Sequence, residues 1–204
     1  MQNLDRALID IAALRSQLAR STEFRGYGPV TLAATGGLAA VAAGIQALVL
    51  PQPVANVRGY LALWTFTAIL AAVLIGFEAV TRSRRIHSDL ANDMLMQAIE
   101  QFLPAAIAGL LLTLVVLTRA PDSLWLLPGL WQIILSLGVF ASCRSLPRPL
   151  VAVGVWYLLS GVTCVAFAHG ADALSPLAMG LPFAIGQGMA ALLFQYSGGP
   201  DADA

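Results

Sequence analysis

The chain has 204 residues, 58% of them apolar and 11% charged, and its 11 basic and 11 acidic residues cancel to a formal net charge of zero. An ordinary soluble domain is about 45–50% apolar and about 25% charged, so this composition excludes a water-soluble globule. Every basic residue is Arg, and without a basic excess no nucleic-acid partner is expected.

Residues 1–28 predict a cytoplasmic amphipathic helix. Leu4, Ile11 and Leu18 recur every seven residues with Ala7 and Leu14 between them, while Asp5, Arg6, Asp10, Arg15 and Arg20 take the other faces. Gly26, Gly28 and Pro29 end that pattern. A secretory signal places a short apolar run directly behind a charged start, and here a long polar stretch comes first, so no cleavage is expected.

From residue 29 to 196 the pattern predicts an all-α membrane domain of six spans, at about 29–50, 60–79, 98–118, 124–143, 149–168 and 175–196, followed by a short cytoplasmic tail at 197–204. A helix rising 1.5 Å per residue needs roughly 20 apolar residues to cross the hydrocarbon of a bilayer. Arg6, Arg15, Arg20, Arg25, Arg82, Arg84, Arg85, Arg144 and Arg148 fall on the side of the N-terminus, and only Arg58 and Arg119 fall opposite. Positive residues remain cytoplasmic during insertion, so both termini are expected inside. Tyr60, Trp64 and Trp125 read as rings at the outer interface, and Phe102 and Tyr196 as rings at the inner one.

Ahead of the third span, Ser88 and Asp89 suit a helix start, and one helix is expected to run from near Asp89 through Glu100 into the membrane, kinked near Pro104. Cys143 and Cys164 fall near opposite ends of their spans, too far apart for a disulfide.

Polar groups inside a span are costly and mark candidate sites. Glu78 and Glu100 are the acids next to spans, and Gln46, Gln132 and Gln187 are the amides within them. The sixth span is the most irregular, with Pro182 and Gly186 beside Gln187 in the run MGLPFAIGQG. Interrupted helices of this kind form substrate sites in many transporters. Gln187, Gly186, Pro182, Gln132, Glu100 and Glu78 are therefore the candidates for a substrate path. Leu103–Ile107 and Leu181–Ile185 share an LPxAI core, which raises an inverted repeat. In the first span, Gly36, Gly37, Ala40 and Gly44 provide small residues for close helix packing, within the chain or against a homo-oligomeric or membrane-protein partner.

No GxSxG, HExxH or Walker-type loop occurs, and His169 with Asp172 is too small a set for a metal. Neither an enzyme nor a cofactor is expected.

The segments LRSQLARSTEFRGYGP (14–29), EQFLPA (100–105), LPGLWQI (127–133), FASCRSLP (140–147) and LAMGLPFAIGQ (177–187) resemble a family of six-span bacterial inner-membrane proteins without an established activity. That resemblance implies the location and the architecture, and no site residues. The expected function is a small-solute transporter or channel-like protein of unknown substrate. The alternative is a non-catalytic subunit or sensor that binds a partner protein through the N-terminal helix and first span, besides the lipid bilayer itself.

Overall fold

A computed structural model describes residues 28–86, 89–143 and 148–197. The expected N-terminal amphipathic helix, the Ser88 helix start and nearly all of the tail lie outside the described residues. Among the described residues the chain is all-helical: α1 (Pro29–Val49), α2 (Val57–Ile86), α3 (Asp89–Arg119), α4 (Leu127–Ser142), α5 (Val151–Phe167) and α6 (Pro176–Ser197). Turns of 3-10 helix at Pro121–Leu126 and Arg148–Leu150 lead into α4 and α5.

Proline punctuates these elements as its chemistry requires. Pro29, Pro121, Pro128 and Pro176 stand in the first turn of their elements, where a missing N–H costs nothing. Pro104 and Pro182 stand inside α3 and α6, where each removes a backbone donor. α3 nevertheless runs unbroken from Asp89 through Glu100 to Arg119, as the sequence predicts. Five helical stretches are long and apolar enough to cross a membrane, and α5, at 17 residues, is shorter.

Each helix packs on its neighbours in the chain, and α6 closes the ring on α1. The contacts along α1–α6 and α4–α5 are the most extensive. Both rest on small residues. A Cβ on Gly36 would come 3.1 Å from the Ala184 carbonyl oxygen and 3.2 Å from Gln187 Cβ, and one on Gly180 would overlap Ala43. At the α4–α5 crossing, a Cβ on Gly161 would come 2.7 Å from the Gly129 carbonyl oxygen. Larger side chains at these crossings would force the helices apart.

The small residues of α1 divide by face. Leu32, Thr35, Gly36, Ala39, Ala42 and Gln46 are buried, whereas Gly37, Ala40 and Gly44 are exposed. Of the three glycines expected to pack the first span, Gly36 approaches another helix of this chain, and nothing lies within 4 Å of a Cβ on Gly37 or Gly44. The spacing explains the division: Gly37 and Gly44 lie about 100° round the helix from the line of Gly36 and Ala43.

The core forms two clusters. One holds Leu32, Leu150, Val153, Tyr157, Ala190, Ala191 and Phe194, the other holds Ala39, Ala42, Tyr60, Trp64, Leu174 and Met179, and Phe183 packs against both. The outside is apolar: from Ile99 to Arg119 on α3, Val116 alone is buried, and Leu103, Ile107, Leu110, Leu114 and Val115 are exposed. Such a surface suits hydrocarbon rather than water.

Overpacking a close crossing costs about 1–3 kcal/mol. Gly161→Leu is therefore expected to lower the stability of the purified protein in detergent by at least about 2 kcal/mol. Gly44→Ala should leave it unchanged or slightly higher, since Ala has the better helix propensity. Thermal or denaturant unfolding of the two variants checks the contrast.

Candidate functional site

Within the bundle the polar side chains cluster on α6 and its partners. A proline at position 182 has no N–H to give the carbonyl four residues back, which is that of Ala178. Gln132 Nε2, from α4, donates to that carbonyl oxygen at 2.9 Å. One turn further along, Trp156 Nε1 from α5 donates to the Pro182 carbonyl oxygen at 2.9 Å. The interruption expected of the sixth span is not present, since α6 runs as one helix from Pro176 to Ser197, and the turn around Pro182 is held from two sides by these side chains.

Next to it, Tyr157 of α5 lies against Gly186. A Cβ at Gly186 would overlap the phenol ring, so the glycine is what admits it. Tyr157 also stacks at 5.3 Å and 54° on Phe183. Its hydroxyl completes no hydrogen bond within the protein, and the Gln187 side chain is its polar neighbour. The Gln132 carbonyl oxygen and the Tyr60 hydroxyl are likewise buried without a partner. Tyr60 and Gln132 are 0% exposed and Tyr157 is 1% exposed, so bulk water does not satisfy any of the three. Buried polar atoms are almost always hydrogen-bonded, so each exception calls for an explanation such as strain, an ordered water or a bound molecule.

Gln46 shows the opposite condition. Its Nε2 donates to the Leu174 carbonyl oxygen at 2.7 Å, and its Oε1 accepts from Trp64 Nε1 at 2.7 Å. It ties α1, α2 and the start of α6 together with both ends of its amide used. Trp131 Nε1 similarly donates to Thr113 Oγ1 at 2.8 Å, joining α4 to α3.

Of the six sequence-derived path residues, Pro182, Gly186 and Gln187 lie on α6, and Gln132 of α4 reaches its Ala178 carbonyl one turn before Pro182. The two acids lie elsewhere. Glu78 accepts a hydrogen bond from the Gly28 backbone N–H at 3.1 Å. That places its carboxylate at the N-terminus of α1, where the helix dipole favours negative charge. A Cβ at Gly28 would overlap this carboxylate. Glu100 is exposed on α3, the least buried helix.

Sequence reasoning missed Tyr157, which nothing distinguished from other aromatic residues of a span. It read Tyr60 and Trp64 as rings at the outer interface, and both are buried against neighbouring helices, 0% and 3% exposed, near the start of α2. The Gln46 acceptor draws the Trp64 indole inward, and Tyr60 follows at 6.5 Å between ring centroids. Trp125 does lie at a helix end, stacked at 4.9 Å on exposed His169. Both cysteines are free, as expected. Among the described residues no group of three or more His, Cys, Asp or Glu is placed to hold a metal.

No family model, curated protein or solved structure matches this chain.

If Gln132 substitutes for the donor that Pro182 lacks, the two positions are energetically coupled. Gln132→Leu should destabilise the protein by about 1–2 kcal/mol by stranding the Ala178 carbonyl. In a Pro182→Ala background, where residue 182 again has an N–H, the same change should cost under about 0.5 kcal/mol. A double-mutant cycle of unfolding free energies reads the difference.

Proposed function

We propose that the protein is a multi-pass membrane protein of six spans, with both termini in the cytoplasm, that conducts or transports a small solute. Five helical stretches meet the length and hydropathy of a span. α5 alone rises about 26 Å, and the Arg148–Leu150 turn adds about 6 Å, which brings the fifth span to about bilayer thickness. The Arg distribution supports the orientation. The resemblance set out above supports the bacterial inner membrane. A fluorescent protein fused after Ala204 should fluoresce in cells, and alkaline phosphatase fused at the same point should be inactive. The reverse pattern would overturn the orientation.

One observation carries the transport reading: Tyr60, Gln132 and Tyr157 bury polar atoms that complete no hydrogen bond, and Pro182 stands inside the continuous helix α6. Polar groups inside a membrane domain are costly and are candidates for a solute path, although an amide there also serves interhelical hydrogen bonding. Gly186 leaves room for the Tyr157 ring, so it governs where that hydroxyl stands.

A second reading, a subunit that associates through its first span, has its own support in the outward face of α1. Gly37, Ala40 and Gly44 are exposed there, and small residues let another helix approach closely.

The test loads liposomes with a low-molecular-weight extract of cells and follows efflux by mass spectrometry. With the wild-type protein a subset of solutes should leave faster than from protein-free liposomes, and Gly186→Ala should slow them while the protein stays folded. An efflux profile identical to protein-free liposomes would overturn the transport reading. Native mass spectrometry of the same preparation would then address the second reading, for which a stoichiometric companion is the expected result.

A further inference from the structure

The packed side of α3 is a seam that outruns its partner. Phe102 and Ala105 lie against Gly138 of α4, where a Cβ would come 2.7 Å and 3.1 Å from them. Gly109 lies on Ile134, Thr113 accepts from Trp131, and Val116 is buried near the far end. These positions follow one another at three- and four-residue steps, the spacing of a helix seam. Carried back toward the start of α3 at the same steps, the seam reaches Ala98, Leu95 and Ala91, all apolar. α4 ends at Ser142, one turn beyond Gly138, whereas α3 extends another 13 residues beyond Phe102, about 20 Å. Among the described residues, α2 and α4 are the long helices against which α3 packs, and Met96, Ile99 and Glu100 on this projection are exposed. Residues 89–98 also precede the apolar stretch Ile99–Arg119, so this part of the seam has no hydrocarbon to face.

The chain itself carries a segment that fits. Leu4, Ala7, Ile11, Leu14 and Leu18 repeat at the same three- and four-residue steps over 15 residues, about 22 Å as a helix. This segment enters the bundle at the end from which α3 projects. Glu78 of α2 accepts the Gly28 N–H at 3.1 Å, and α2 runs on from Glu78 to Ile86, three residues before α3 begins at Asp89. Nine residues separate Leu18 from Gly28 and reach about 30 Å when extended, enough to lay the segment beside α3.

We propose that residues 4–18 dock along the projection of α3, their apolar seam against Ala91, Leu95 and Ala98, and so continue within one chain the interface that α4 begins. The proposal is independent of the transport reading.

The test keeps the full chain, with Cys143→Ser and Cys164→Ser, in opened membrane fragments that expose both faces. Leu95→Cys should react slowly with a water-soluble maleimide, and Met96→Cys, about 100° further round the helix, about fivefold faster or more. Adding Ile11→Asp and Leu14→Asp should raise labelling at position 95 about fivefold and leave position 96 nearly unchanged. Labelling at 95 that is fast from the outset, or slow and indifferent to the two aspartates, would overturn the proposal. Oxidation of Leu95→Cys paired in turn with Ala7→Cys, Ile11→Cys and Leu14→Cys identifies the occupant. At least one pair should give a disulfide between tryptic peptides 7–15 and 86–119 in a band of monomer mass. The link found only in a band of twice that mass would assign the seam to a second copy, and no link from any pair would separate the segment from α3; either result contradicts the proposal. Gel filtration and thermal unfolding check that each variant is folded.

Discussion

A carbonyl that loses its helical donor inside a bilayer has no water to turn to, and the architecture around α6 answers that constraint at Ala178. Pro182 removes the donor, and Gln132 replaces it from another helix. For the amide of Gln132 to reach that far, α4 must lie close to α6. α4 is held there through α5, whose Gly161 meets the Gly129 backbone in close contact. The same arrangement presents Trp156 to the Pro182 carbonyl and Tyr157 to Gly186. One missing N–H thus links the glycine crossings, the buried amide and the aromatic pair into a single construction.

Using the amide nitrogen of Gln132 for structure leaves its oxygen without a partner, and that asymmetry separates it from Gln46. Gln46 joins a donor and an acceptor and is saturated, so it functions as a clamp between α1, α2 and the start of α6. Gln132 satisfies the backbone with one half and offers the other half to the interior. In a low-dielectric bundle an open acceptor is expensive, which is why a molecule that donates to it there would bind.

Much of the fold was legible in the sequence because the bilayer imposes a coarse rule. Apolar runs of span length, separated by Arg and Pro, predict the helices, and α3 begins at Asp89 and passes through Pro104 as the sequence suggests. What a linear pattern cannot carry is the facing of each helix. Gly36 and Gly37 are adjacent in sequence, yet one packs on Ala184 and the other meets nothing. Tyr60 and Trp64 have the amphipathic character of interface rings, and only the position of Gln46 on a neighbouring helix turns them inward. Of the candidate site, the residues of the MGLPFAIGQG run and Gln132 were legible because Pro, Gly and Gln are chemically conspicuous in a span. Tyr157 was not, because its importance comes from the gap at Gly186 across a helix interface. The acids were conspicuous for the same reason as the amides, but Glu78 serves the N-terminus of α1 and Glu100 faces outward.

Under the transport proposal the Gln187 face of α6 lies along a polar route, whereas the face of Leu181, 53% exposed, meets hydrocarbon. The most direct test of that proposal replaces Cys143 and Cys164 with Ser, introduces Gln187→Cys or Leu181→Cys singly, and measures labelling of each in liposomes by a small water-soluble thiol reagent. The account predicts that the cysteine at 187 reacts and the cysteine at 181 does not. Labelling at 181 with none at 187 would contradict it, as would a cysteine at 187 that stays unreactive in a folded protein.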